Sequence, residues 1–267
     1  MISRIATILV VIGAVIGVAC VDMSAPKGAA SISALQLPSP SVVVGDVMRD
    51  STGAPATLSV IAYDANGAKI TDLATQFFVT DTGAPATLDA SGMLTGTKLG
   101  TVHVVGQIGA LQTPVAAIPV TVAPKLIART AATIDTIRAP LSTDSTQRAH
   151  ADIGVTVSGD SSDQKAAGFI VKYTLVYAPA TSSTSKSPAV FLAGDQGTAS
   201  TVDTTDASGL ASRSVVVVSA FLADPALLAG TKVDSAVVMA QTSYKGALVS
   251  PSPIRFVIPI VVRLKLP

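Results

Sequence analysis

Tryptophan is missing from this chain, and aromatic residues make up only 4% of its 267 residues. Few aromatic faces means few platforms for stacking bases or sugar rings, which argues against nucleic-acid binding and most sugar-binding clefts. Charge is scarce too, at 13% of residues with a formal net charge of +1. There is neither a basic surplus nor an acidic tail, and no nucleic-acid partner is expected. Cysteine occurs once, at Cys20, so no intramolecular disulfide can staple the fold. Histidine occurs twice, at His103 and His150, far apart in the chain. No H-x-H, H-E-x-x-H or paired-cysteine spacing is present to hold a metal. Nor is there a G-x-S-x-G elbow, a glycine-rich phosphate loop, or a local pairing of nucleophile with base. The expectation is a protein that is not an enzyme, with no catalytic residues, no metal and no cofactor.

Small and β-branched residues fill the space that aromatics and charges leave. Hydrophobic residues reach 49%, with Gly 20 and Pro 16 spread along the chain. Ala, Val, Thr and Ser suit pleated, half-buried surfaces. The start of the chain is different. Met1-Ile2-Ser3-Arg4 carries a positive charge, and Ile5 to Val18 is an almost unbroken apolar run. A membrane-spanning helix needs about 20 such residues, so this run has the length of a signal-peptide core instead. It ends at Gly17-Val18-Ala19-Cys20.

A lone cysteine behind an apolar run and a small residue resembles the lipobox of bacterial lipoproteins, although Gly17 stands where that family usually has Leu. The resemblance implies a signal peptide over 1–19, lipidation of Cys20 at the mature N-terminus, and a membrane partner reached through that lipid anchor. Residues 20–31, with Pro26 and Gly28 among small polar neighbours, then read as a flexible tether. Val21 rather than Asp follows Cys20, which by the same resemblance points to the outer membrane.

From Ile32 to Val122 the pattern is strand, turn, strand. Ile32 to Leu37 opens an edge strand that Pro38 and Pro40 interrupt and Val42-Val43-Val44 resumes. Thr57 to Tyr63, Gln76 to Val79, Ala86 to Leu88, Met93 to Thr95, Gly100 to Gln107 and Val115 to Val122 follow, separated by turn residues. In the Gly100 strand, Val102 and Val104 point inward, and Thr101 and His103 outward to solvent. Asp50-Ser51-Thr52-Gly53-Ala54-Pro55-Ala56-Thr57-Leu58 is echoed by Asp81-Thr82-Gly83-Ala84-Pro85-Ala86-Thr87-Leu88, which reads as one loop-into-strand solution used twice. Short strands at this spacing predict a β-sandwich.

Tyr63-Asp64-Ala65-Asn66-Gly67, then Ala86 to Gly96, then Gly100-Thr101-Val102-His103-Val104 resemble a bacterial immunoglobulin-like domain of the group 2 type over 32–123. Phe77-Phe78-Val79 occupies the strand where that family has a tryptophan. The second half, 126–267, alternates at Ile153, Val155 and Val157 and again at Phe169, Val171, Tyr173 and Leu175. Thr181 to Ser187 reads as a mobile loop. Asp224-Pro225 with Gly230 beyond marks one short helix. Thr205-Asp206-Ala207-Ser208-Gly209-Leu210-Ala211 resembles the turn before the late strands of group 1, invasin-type domains. The fold expected is therefore all-β, two tandem immunoglobulin-like β-sandwiches behind a signal peptide.

The carboxylates remain. Asp50, Asp64, Asp81, Asp89, Asp160, Asp163, Asp203 and Asp206 fall beside Ser, Thr, Asn or Gly. Calcium needs about 6–8 oxygen ligands, and the best pair, Asp203 with Asp206, is thin. Asx turns, in which each Asp accepts from its own backbone, are the expected use. What the resemblances imply is an exported spacer, adhesion or protein-binding scaffold of the cell envelope. The alternative is an accessory carbohydrate-binding protein. The ligand, whether protein or glycan, is not specified by any motif.

Overall fold

The computed structural model describes residues 28–70 and 73–263. The expected signal peptide (1–19), Cys20 and most of the expected tether (20–31) lie outside them. The first half carries β1 (Ser31–Ile32), β2 (Val42–Val43), β3 (Ala62–Tyr63), β4 (Lys69–Ile70) and β5 (Gln76–Val79). It continues with β6 (Ala86–Leu88), β7 (Leu94–Gly96), β8 (Gly100–Ile108), β9 (Leu111–Gln112) and β10 (Ala116–Thr121). The second half carries β11 (Leu126–Arg129), β12 (Ile137–Pro140), β13 (Ala149–Ser158), β14 (Ile170–Tyr177) and β15 (Val190–Ala193). After these come β16 (Val202–Thr204), β17 (Leu210–Val217), β18 (Asp234–Tyr244), β19 (Ala247–Leu248) and β20 (Ile254–Arg263).

Both halves solve the same topological problem in the same way. In the first, β1 pairs antiparallel with β3, and then the chain crosses so that β2 runs parallel to the last strand, β10. One layer is β2-β10-β8-β5, and the other is built from β1-β3-β4 with the β6–β7 hairpin. The Leu58 N–H donates to the Gly92 carbonyl at 2.9 Å and joins the hairpin to that layer. In the second half, β11 pairs antiparallel with β13, and β12 runs parallel to β20. Its layers are β11-β13-β17-β15 and β12-β20-β18-β14-β16. A first strand shared between two sheets, with its second part parallel to the last strand, is immunoglobulin-like topology. The fold is all-β, an immunoglobulin-like sandwich in each half.

This geometry corrects the reading of the first edge strand. Pro38 and Pro40 do not interrupt one strand; they lie where the chain leaves one sheet for the other. Proline cannot donate to a ladder, and at the crossing no ladder bond is needed.

Alternation supplies the cores. In the first sandwich Met48, Leu94, Val102, Val104 and Ile118 are completely buried between the sheets. In the second, Ile153, Val155, Tyr173, Ile258 and Ile260 do the same. Each such side chain contributes about 1.5–3 kcal/mol when removed from water. The buried Tyr173 hydroxyl donates to the Ala211 carbonyl at 2.8 Å, so this polar group spans the two sheets and is satisfied. The short helix α1 (Pro225–Leu228) forms as its signals predict. The Asp224 carboxylate accepts from Ala226 N at 2.9 Å and Leu227 N at 3.3 Å, and Leu227 is buried.

Two local expectations need correction. The echoed segments at Asp50 and Asp81 are not one solution used twice. Asp50 Oδ1 accepts from its own turn, from Thr52 N at 2.8 Å and Ala54 N at 3.1 Å. Asp81 reaches instead across to β8, where Oδ2 accepts from His103 N at 2.6 Å. The second copy is one residue shorter, so its Asp falls out of reach of its own turn. His103 is accordingly not a free, solvated side chain: its Nδ1 lies 2.9 Å from Asp81 Oδ1.

Candidate functional site

The loop leaving β2 and the hairpin joining β18 to β19 come from opposite halves, and they meet. Tyr244 and Ala247 pair across that hairpin, leaving Lys245 and Gly246 as its two-residue turn. Both have positive φ, 53° and 77°, as a turn matched to strand twist requires. This places Tyr244 and Lys245 over Asp46. The Tyr244 hydroxyl donates to Asp46 Oδ2. Arg49 clamps the same carboxylate in a fork, Nε to Oδ2 at 2.8 Å and Nη2 to Oδ1 at 2.9 Å. Lys245 Nζ lies 3.3 Å from Oδ2 and 5.3 Å from the Tyr244 ring centroid.

The electrostatics follow from this crowding of donors. Burial alone would raise the Asp46 carboxyl, but bonds from Arg49, Tyr244, the Val47 N–H and Lys245 outweigh it and hold it well below the usual carboxylate range. The Tyr244 hydroxyl moves the other way. Burial and then its bond to Asp46 push it above the ordinary phenol value. A carboxylate kept ionised beside a phenol kept protonated forms a stable hydrogen-bonded latch. Neither of these two groups is poised to exchange a proton near neutrality.

Packing reinforces the latch. Gly53 and Gly168 both have positive φ, 91° and 76°. A Cβ on Gly53 would overlap the backbone of Lys245 and Gly246, and one on Gly168 would overlap the Ser41 side chain. The Ser41 hydroxyl donates to the Gly168 carbonyl at 3.1 Å, and Thr121 Oγ1 accepts from Ala167 N at 3.0 Å. Val43, Val122 and Ala123 of the first half pack against the core of the second. Beside the latch is a cleft of about 130 Å³, walled by Ser41, Arg49 and Gly53 on one side and Lys172, Gln241 and Lys245 on the other. Small-molecule sites run to roughly 300–1,000 Å³, so this space is suited to a joint rather than to a ligand chamber.

The other residues singled out in the sequence are dispersed. Cys20 lies outside the described residues. Asp89 Oδ1 accepts from Ser91 N and Met93 N, both at 2.9 Å, and from the Ser91 hydroxyl at 2.6 Å. Asp206 repeats the arrangement with Ser208 and Leu210, and Asp64 makes its backbone part with Asn66 and Ala68. These are Asx turns, and the Ser hydroxyl foremost holds the Asp89 and Asp206 carboxyls below their ordinary value. Asp203 is turned away from Asp206. It accepts from Ser212 N at 2.7 Å and pairs with buried Arg213 at 3.2 Å. Asp160 pairs with Lys125 at 2.6 Å. His150 is exposed on β13. Among the described residues no group of three or more His, Cys, Asp or Glu is placed to hold a metal ion.

None of the four latch residues was singled out from the sequence. Asp46 and Tyr244 are 198 positions apart, and a Tyr-Lys-Gly at a hairpin reads as turn chemistry alone.

No family model and no curated relative matches the chain. Among solved structures, an S-layer protein, rSbsC, aligns with 90% of this chain and 29% of its own, at 15% identity and a TM-score of 0.33. The Yersinia pseudotuberculosis adhesin InvE aligns with 82% of this chain and 58% of its own, at 20% identity and a TM-score of 0.33. The D00-D0 domain of intimin aligns with 86% and 99%, at 12% identity and a TM-score of 0.29. This chain thus spans under a third of the S-layer protein and under two thirds of InvE.

Proposed function

We propose that this chain is an exported envelope protein, tethered by lipid on Cys20, whose two sandwiches act as a stiff, non-catalytic spacer and protein-binding scaffold. The observation that carries the reading is the latched joint. A loosely strung pair of domains would be joined by a polar linker with few contacts across it. Here only Val122-Ala123-Pro124-Lys125 separates β10 from β11, and Asp46, Arg49, Tyr244 and Lys245 lock the two halves side chain to side chain. A spacer must transmit orientation, and such a joint does so.

The same proposal assigns 1–19 to a signal peptide and 20–31 to a tether, with the anchor in the outer membrane. It places the first sandwich among group 2 bacterial immunoglobulin-like domains and the second among the group 1 type. Two acyl chains hold a protein to a bilayer firmly, because each buried methylene contributes about 0.8 kcal/mol.

Palmitate labelling in a bacterial host tests the anchor. The wild-type chain is expected to take label and partition with membranes, and Cys20→Ala to do neither. An unlabelled wild type released as a soluble product would overturn it. Small-angle scattering of the Cys20→Ala chain tests the spacer. One extended, narrow distance distribution is expected, and a broad ensemble of interdomain angles would refute stiffness.

A further inference from the structure

The outer face of the second sandwich's larger sheet carries charge of one sign. The strands β12, β20, β18, β14 and β16 lie side by side, and alternation decides which residues leave the core. On β20, Phe256, Ile258, Ile260 and Val262 are buried, so Arg255, Val257, Pro259, Val261 and Arg263 face outward. On β14 the outward set includes Lys172, Thr174 and, past a bulge at Val176, Tyr177; on β12 it includes Arg138. On β18 it is Ser235, Val237, Met239, Gln241 and Ser243. Every charged residue in these outward rows is basic; the Asp234 carboxylate, from the inward row of β18, accepts from the Tyr177 hydroxyl at 3.0 Å at the margin of the face. In a chain with 18 basic and 17 acidic residues, such segregation is a property of this face and not of composition.

The register gives the face an order. Lys172 sits beside Gln241, and Arg255 beside Met239, at the end nearest the latch. Arg138 sits beside Val261 toward the other end, with Arg263 beyond. Between them runs an apolar band in which Tyr177 pairs with Val237 and Val237 with Val257. Val176, Tyr177 and Val257 are 58%, 49% and 39% exposed. Among the described residues the side chains of Lys172, Arg138 and Arg255 make no ion pair. From Arg255 to Arg263 the strand runs roughly 26 Å, and five strands span about 19 Å, so the face offers on the order of 500 Å². A partner contributing a similar area makes an interface of the small, transient class.

We propose that this face docks an acidic, apolar surface of a partner protein. Charge complementarity sets the sign of the partner and makes a second copy of the same face a poor match. The apolar band between the cations sets the class. Protein interface cores are rich in Arg, Met, Tyr and aliphatic groups and poor in acidic residues. An acidic polysaccharide offers the charge but nothing to cover Val257 and Tyr177, and an anionic membrane rewards insertion that a flat sheet face cannot make. The inference rests on the reading of the chain as a protein-binding scaffold, but not on the anchor, so palmitate labelling and the binding test fail independently.

The test uses the full chain carrying Cys20→Ala, with binding followed by fluorescence anisotropy. The labelled probe is a short peptide alternating Glu with Leu; polyglutamate, chondroitin sulfate and phosphatidylglycerol vesicles are the comparison arms. The alternating peptide is expected to bind best, and more weakly as salt rises. Lys172→Glu with Arg255→Glu should weaken it by about tenfold or more, and Val257→Ser by about threefold, whereas Thr156→Glu on the opposite sheet should not. All variants sit at outward positions, and unchanged thermal melting shows that they fold. Binding of polyglutamate, polysaccharide or vesicles as tight as that of the peptide would overturn the proposal. So would failure of the peptide to bind, or indifference to the charge reversals.

Discussion

The Tyr244 hydroxyl donates to the Asp46 carboxylate across the boundary between the two sandwiches. This one bond ties a hairpin near the end of the chain to a loop near its start. The acceptor is already gripped by Arg49, so the latch has a fixed receiving group rather than a mobile one. Fixed acceptors lose less freedom on pairing, which is why the joint can rest on few side chains.

Removing the donor should loosen the joint and leave each sandwich intact. Tyr244→Phe is expected to cost about 1.5–3 kcal/mol, the range for a hydrogen bond to a charged group. Scattering should show a wider spread of interdomain angles with circular dichroism unchanged. An unaltered scattering curve would show that the bonds from the Ser41 and Thr121 hydroxyls to the opposite backbone suffice.

Acid should weaken the latch late. Asp46 titrates well below its unfolded value of about 3.9. Its stabilisation is therefore whole above the unfolded value and is lost as pH falls from there through the folded one. Urea unfolding of wild type and Asp46→Asn should differ by a constant amount between roughly pH 6 and 8, with the gap narrowing below about pH 4. A gap that widens on acidification would contradict the assigned direction.

Glycine substitutions should separate strain from collision. Gly67 has φ 80° and open space where a Cβ would go, whereas Gly53 has φ 91° and faces the partner hairpin's backbone. Gly67→Ala should cost only the left-handed strain, about 1–2 kcal/mol. Gly53→Ala adds a backbone clash and should lower the melting temperature further while splaying the joint. Equal effects from the two would mean that the hairpin moves aside freely.

Among the described residues, Asp203 and Arg213 form the most buried ion pair of the second sandwich, and Arg213 Nε finds no acceptor. Asp203→Ala removes the counter-charge, leaving the guanidinium its bonds to the Ser212 carbonyl and Ser200 hydroxyl, and should destabilise by roughly 3 kcal/mol, the low end for breaking a buried pair because Asp203 is partly exposed. Replacing both, as Arg213→Met with Asp203→Leu, should recover most of the loss. Denaturant unfolding of the single and double variants measures the coupling.

The turns were legible for a local reason. In Asp89-Ala90-Ser91-Gly92 and Asp206-Ala207-Ser208-Gly209 the carboxylate, the hydroxyl and the positive-φ glycine lie within one short stretch, so adjacent residues specify the bonds. Alternation at Val102 and Val104, or at Val171 and Tyr173, likewise needs only period two. His103 and the Asp50 echo were misread because their outcome depends on partners more than twenty residues away, and one missing residue moved Asp81 out of its own turn. The switch of the first strand between sheets at Pro38 and Pro40 leaves no local mark for the same reason, since a broken strand and a crossing strand look alike in sequence.

The amino-acid sequence by itself determined that this is a β protein, where the Asp89 and Asp206 turns fall, that rows such as Val102–Val104 and Val171–Tyr173 face inward, and that Cys20 follows an apolar run. Those features rest on periodicity and on bonds between near neighbours. Only the tertiary structure decided that Asp46, Arg49, Tyr244 and Lys245 form one latch, and that Lys172, Arg138, Arg255 and Arg263 share one face. Both depend on which distant strands lie side by side, and packing, not local preference, sets that.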